Sequence, residues 1–174
     1  MNKKTQNIIL ILASVVFLIY AIGFVISPTT EVEISGEVDA GHSEVYDLIS
    51  NPSTWPKWSP ITPSATSFRM RKEGPDQGVG AKIVYLYDQK EALTISITET
   101  RQGLMVRYDI SSVQAPQIST GEIALEPVSG KTRIVWTHES NWGKNPIMKL
   151  MGKVMVSKQR NDMLKSLENM QNDL

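Results

Sequence analysis

The chain has 174 residues, with 18 basic and 18 acidic side chains and no cysteine. A neutral chain lacks the basic footprint that binding to phosphates requires, so nucleic acid is not an expected partner. Without cysteine there is no disulfide framework, thiolate metal site or thiol nucleophile.

The first feature along the chain is the uncharged run 8–26, IILILASVVFLIYAIGFVI. Its 19 residues make a helix about 28 Å long, close to the hydrocarbon thickness of about 30 Å. Fourteen of them are Ile, Leu, Val or Phe, which favours insertion by roughly 4 to 8 kcal/mol at about −0.3 to −0.6 kcal/mol each. Lys3 and Lys4 precede the run, and the next base is Lys57. That lysine bias predicts a cytoplasmic N-terminus, a single-pass membrane anchor over 8–26 and a domain on the periplasmic or extracellular side. A cleaved signal peptide is the alternative, with Ala21 and Gly23 as its small residues, although the apolar run continues through Phe24, Val25 and Ile26. Residues 1–30, ending in the linker Ser27 to Thr30, are thus set apart from one domain over 31–174.

That domain opens with EVEISGEVD, 31–39, whose alternation reads as a half-buried strand. Gly41 stands three residues before Glu44, a partial capping pattern, and Val45, Leu48 and Ile49 form the buried stripe of a first helix ended by Asn51 and Pro52. Trp55 and Trp58 flank Pro56 and share one face of a helical turn. Two indoles of about 150–250 Å² each need an apolar receiver, which is the concave side of a sheet, or else they form a gate or a membrane-touching lip.

From Thr66 the period becomes two. Strands are expected near 66–73, 81–88, 92–101, 104–112, 117–127 and 131–140, with breaks at 74–80, 89–91, 102–103, 113–116 and 129–130. Alternation puts Phe68, Met70, Ile83, Tyr85, Tyr87, Leu93, Ile95, Ile97, Leu104, Val106, Tyr108, Ile110, Ile123, Leu125, Ile134, Trp136 and His138 on one inward face. Arg69, Arg71, Thr94, Ser96, Thr98, Arg107, Asp109, Arg133 and Glu139 fall on the other, which suits water.

Residues 146–174 return to helical period, about 43 Å if continuous. Ile147, Leu150, Met151, Val154, Met163, Leu164, Leu167 and Met170 are expected broadly along one side against the sheet, with lysines on the other side facing the acidic first strand. Five of the chain's eight methionines lie here. They either pack plainly or, with Met151 and Met155, line a pocket tolerant of varied apolar ligands.

Particular residues carry a resemblance: Ala40, Val45 and Trp55, Trp58, Ser59 and Pro60 in the helical entry, Gly78 and Gly80 before a strand, Thr132 and Trp136 in TRIVW, and the tail MLKSLENM, 163–170. In this order they resemble the START-like (SRPBCC, helix-grip) superfamily, in particular its polyketide cyclase/dehydrase and lipid-transport group. Gly41 stands where that family often has Pro. The resemblance implies an α+β fold in which a curved antiparallel sheet of about seven strands grips the C-terminal helix around a cavity for a lipid or other apolar molecule. Trp55, Trp58, Phe68, Met70, Tyr85, Tyr87, Ile95, Ile97, Val106, Tyr108, Ile123, Trp136, His138, Met151 and Met155 are the expected ligand-lining set. Fold alone does not choose between carrier and enzyme.

Motifs for chemistry are sparse. Gly78-Val79-Gly80 precedes a strand and lacks a third glycine, so it reads as a hairpin turn rather than a phosphate loop. His42 and His138 are the only histidines, too few for an ordinary zinc site, and His42 is expected in solvent. No metal or other cofactor is expected. His138 on the inward face, with Tyr108 and with Glu99 as the inward carboxylate of its strand, is the one acid–base set on offer. Three readings therefore stand: a membrane-tethered binder of an apolar small molecule or lipid, a cyclase-, dehydratase- or hydrolase-like enzyme, and an interaction domain with a filled core.

Overall fold

A computed structural model describes residues 2–60, 62, 68–113 and 118–174. The elements run α1 (Lys3–Val25), β1 (Thr29–Val38), α2 (His42–Ser50), α3 (Trp55–Trp58), β2 (Arg69–Glu73), β3 (Lys82–Tyr87), β4 (Lys90–Arg101), β5 (Met105–Ser112), β6 (Ile118–Val128), β7 (Lys131–Asn141) and α4 (Pro146–Asp173). The expected strand starts at 66–67 and 117 lie outside the described residues.

All seven strands form one antiparallel sheet in the order β1-β7-β6-β5-β4-β3-β2. Consecutive hairpins build β2 to β7, and β1 closes the far edge by pairing with β7 from Thr29↔Asn141 to Val38↔Thr132. This is the α+β helix-grip architecture, preceded by one apolar helix. Tyr87 and Lys90 are joined by Asp88 and Gln89, both at positive φ. The hairpin thus turns one residue earlier than expected, because no glycine marks the left-handed positions that this tight turn uses.

The concave face is the one alternation selected, except that Leu104 stands exposed in the turn before β5. Register aligns Tyr85 with Leu93, Ile97 with Tyr108, Val106 with Ile123, Ile123 with Trp136 and Trp136 with Ile34. β4 departs from regular pairing twice: Ala92 has no partner on β3, and a second bulge falls between Ile97 and Glu99. A bulge adds one residue and exchanges the faces beyond it, so Glu99 pairs with Arg107 on the convex side.

The polar groups of α3 are satisfied locally. The Trp55 indole donates to the Ile49 carbonyl (3.1 Å) and that of Trp58 to Thr54 Oγ1 (3.4 Å). Both rings are fully buried, so they are neither a gate nor a lip.

α4 starts where Asn145 Oδ1 accepts from the Ile147 and Met148 backbone N–H groups and Pro146 takes the first helical turn. It buries Gly152, Met163, Ser166, Leu167 and Met170. Near its end, Asn169 donates to the Trp58 carbonyl (2.9 Å) and Gln171 accepts from the Asp39 N–H (2.7 Å), which ties the helix to α3 and to the end of β1. The expected single apolar side is not what forms: Ile147, Met151, Val154 and Leu164 are exposed. At 3.6 residues per turn Met151 stands roughly 120° round the helix from Met163, too far to share its contact. Nor do the helix bases meet the β1 carboxylates. Lys153 and Arg160 donate to the Thr29 and Glu33 carbonyls, while Glu37 and Asp39 pair with Arg133 and Lys131 of β7.

α1 is long and apolar enough to cross a membrane. Its end is built into the domain. Gly23 is its one buried residue, and a Cβ there would stand 2.5 Å from the Pro146 Cβ. Only residues 26–28 separate α1 from β1, and the Trp142 N–H donates to the Pro28 carbonyl (2.8 Å) while its indole donates to Thr30 Oγ1 (2.8 Å).

Candidate functional site

The inward residues divide into a packed floor and an open end. The floor is aromatic. Trp55 meets Trp58 at 5.3 Å between ring centroids and Tyr108 edge-on at 4.7 Å, and Trp58 meets Trp136 at 6.0 Å. Ile95, Ile97, Val106 and Ile123 complete it, all buried. The Tyr108 ring lies directly over Gly121, where any Cβ would collide with the phenol, so a glycine at 121 is what lets the tyrosine lie down.

A buried chain of polar groups crosses this floor. Trp136 Nε1–H donates to the Tyr108 oxygen (2.9 Å), and the Tyr108 hydroxyl stands 3.0 Å from His138 Nδ1. The arrangement that satisfies the phenol's hydrogen has it donated to Nδ1, leaving the imidazole proton on Nε2. Burial lowers the His138 pKa to about 4, and burial raises that of Tyr108 despite the opposing Trp136 hydrogen bond. His138 is therefore neutral near pH 7, a weak base whose Nδ1 lone pair is already engaged.

Glu99 is not part of this group. Its carboxylate accepts from Arg107 (2.6 Å), which also holds Glu122, in an exposed ion-pair cluster on the convex face. The structure joins His138 to Tyr108 and leaves Glu99 on the other side of the sheet, so the three-residue acid–base set does not assemble.

The open end lies along β2 and β3. Phe68 packs edge-on against Tyr85 at 6.4 Å and tilted against Tyr87 at 5.7 Å. Phe68 and Leu93 are half-buried, whereas Met70 is 45% and Tyr87 58% exposed, so the inward face here presents apolar surface. Beneath it Tyr85 is buried completely. Burial pushes its hydroxyl up to about 12, against a smaller lowering by the Thr62 hydroxyl, which approaches it but outside hydrogen-bond geometry. Thr62 donates its own hydrogen to the Ser59 carbonyl (2.6 Å). Among the described residues neither the Tyr85 hydroxyl nor the buried Ser59 Oγ has a hydrogen-bond partner. An unpaired buried hydroxyl costs about 1–3 kcal/mol, so each of the two calls for a polar group from elsewhere.

A profile of the family described as "Polyketide cyclase / dehydrase and lipid transport" matches residues 29–174. The chain belongs to this family. A structure from Chromobacterium violaceum is similar, with TM-score 0.58, 19% identity, and coverage of 82% of this chain and 95% of that one. So is one from Rhizobium leguminosarum (TM-score 0.57, 12% identity, 82% and 92% covered) and one from Mycobacterium smegmatis (TM-score 0.55, 14% identity, 86% and 96% covered). At these identities the likeness concerns the fold. No curated protein matches the sequence.

Within the polyketide cyclase/dehydrase fold, family and architecture point to a ligand-binding module. Of the expected lining set, Phe68, Met70, Tyr85 and Tyr87 meet at the open end. Trp55, Trp58, Ile95, Ile97, Val106, Tyr108, Ile123, Trp136 and His138 form the floor, Met155 is half-buried and Met151 points outward at 53% exposure. Sequence reasoning gave Ser59 and Thr62 no role. They sit among prolines with no periodicity to place them, and only the fold brings Thr62 beside Tyr85 and buries the Ser59 hydroxyl without a partner. His42 is half-buried rather than in solvent, with Nδ1 unpaired among the described residues. It borders a polar cleft of about 510 Å³ with Tyr46, Asp47, Gln77 and Gln102.

Proposed function

We propose that the chain is a membrane-anchored binding module for an apolar small molecule or lipid that carries a hydrogen-bonding group. The apolar part lies against Phe68, Met70, Tyr87 and Leu93, and the polar group meets the Tyr85 and Ser59 hydroxyls. The observation that carries this reading is the pair of unpartnered buried hydroxyls beneath an exposed aromatic face. Apolar contact with a few placed polar groups is the general pattern of small-molecule sites. The packing of Gly23 on Pro146 and the three-residue link to β1 support a retained anchor rather than a cleaved signal. Such a tether keeps the site within a short distance of the lipid that would supply it. A His138-based acid–base enzyme draws less support, because the imidazole is weakly basic and Glu99 is remote.

Tyr85→Phe tests the site. Losing one neutral hydrogen bond, worth about 0.5–1.5 kcal/mol, weakens binding of a fluorescent long-chain fatty acid roughly two- to tenfold. The empty protein becomes no less stable, since the hydroxyl removed had no partner. Unchanged affinity together with a lower melting temperature contradicts the assignment, because the hydroxyl would then serve the fold and not a ligand.

A further inference from the structure

α4 is apolar on two sides over its first turns. One side, with Gly152 against Trp142, packs on the domain. The other presents Ile147, Met151 and Val154 at 47%, 53% and 77% exposure, spaced four and three residues apart on one face. In water such a stripe is a standing cost, and its position says what covers it. Pro146, immediately before the stripe, touches Gly23, which lies within the apolar run that ends at Ile26. The start of α4 therefore sits about 4.5 Å below the end of that run, at 1.5 Å per residue. Phe24 and Val25, 70% and 89% exposed, stand at the same level. The Trp142–Pro28 and Lys153–Thr29 hydrogen bonds hold the junction in this relation. Charge agrees: from Lys144 to Arg160 the sequence has five bases, Lys144, Lys149, Lys153, Lys158 and Arg160, and no acid.

We infer that the first half of α4 lies in the surface of an anionic bilayer, with Ile147, Met151 and Val154 in the headgroup–acyl boundary and the lysines reaching phosphates. An amphipathic basic helix at that depth gains from both apolar burial and anionic headgroups, and lysine stems extend to the boundary. This rests on the membrane anchor proposed above.

The absence of cysteine makes the test direct. Single-site variants Met151→Cys and Val154→Cys of the full chain carry an environment-sensitive fluorophore in nanodiscs of phosphatidylcholine and phosphatidylglycerol. Phe17→Cys serves as the mid-span reference and Thr98→Cys, exposed on β4, as the aqueous one. The expected result is a blue-shifted emission at 151 and 154, quenched by lipid-borne quenchers in discs holding one chain, with neither effect at 98. Emission at 151 and 154 matching 98 while 17 stays quenched overturns the docking and leaves the anchor standing. Emission from 17 in an aqueous environment removes the anchor and the docking with it. A blue shift at 151 that lipid quenchers do not reach and that vanishes at one chain per disc assigns the stripe to a second copy, which also overturns the inference.

Discussion

Trp136→Ala is expected to destabilise the domain by about 4 kcal/mol, within the range of about 3–5 for removing a buried large aromatic ring. The indole is fully buried, packs on Trp58 at 6.0 Å and donates to Tyr108. The variant loses the ring's contacts, leaves a void between β7 and α3, and deprives the Tyr108 oxygen of its donor. For a domain of this size each kcal/mol moves the midpoint by about 2–4 °C, so a fall on the order of 10 °C follows. Thermal unfolding of the purified chain in detergent measures it. Trp136→Phe separates the components: it keeps most of the ring and loses the N–H, so its cost should be about 1–2 kcal/mol. A fall of less than about 1 kcal/mol for the alanine variant contradicts the packed floor described here.

The second large effect is on pH dependence. His138 titrates near 4 when folded, against an ordinary value of 6.5. The unfolded chain therefore binds the proton more readily, so the stability of the folded state is full above pH 6.5 and is lost as pH falls towards 4. The separation in pKa corresponds to about 3 kcal/mol. Denaturant unfolding between pH 7.5 and 4.5 should show stability declining across that window, and His138→Gln should flatten the profile while lowering stability at pH 7 through the changed contact with Tyr108. A wild-type profile that stays level down to pH 5 contradicts a buried neutral imidazole.

The concave face was legible because a sheet with one buried side imposes alternation, and most apolar residues of β3 to β7 follow it, with Val84 and Met105 buried on the opposite face as the exceptions. The reading failed where apolar markers run out. Beyond Ile97 the sequence is TETR, so nothing signals the bulge that sends Glu99 to the convex side. α4 failed for a different reason: Ile147 and Met163 both look periodic, yet 16 residues carry the helix roughly 160° out of phase, so one nominal stripe is two faces. The burial of Trp55 and Trp58 followed from their size, but the sequence did not choose between core and lip. The approach of Thr62 to Tyr85 depends on a tertiary meeting of a turn and a strand with no periodic signature in the turn. The contact of Gly23 with Pro146 is similarly silent, since a glycine in an apolar run reads equally as a cleavage site or a packing notch.

The central claim is that the open aromatic end at β2–β3 binds an apolar molecule with a polar group. It is tested most directly by native mass spectrometry of the full chain released from detergent after gentle purification from membranes, followed by solvent extraction. The account predicts a bound species of defined mass, extractable into organic solvent and depleted in Tyr85→Phe. A folded chain that arrives empty, and stays empty after incubation with vesicles of total membrane lipid, contradicts it.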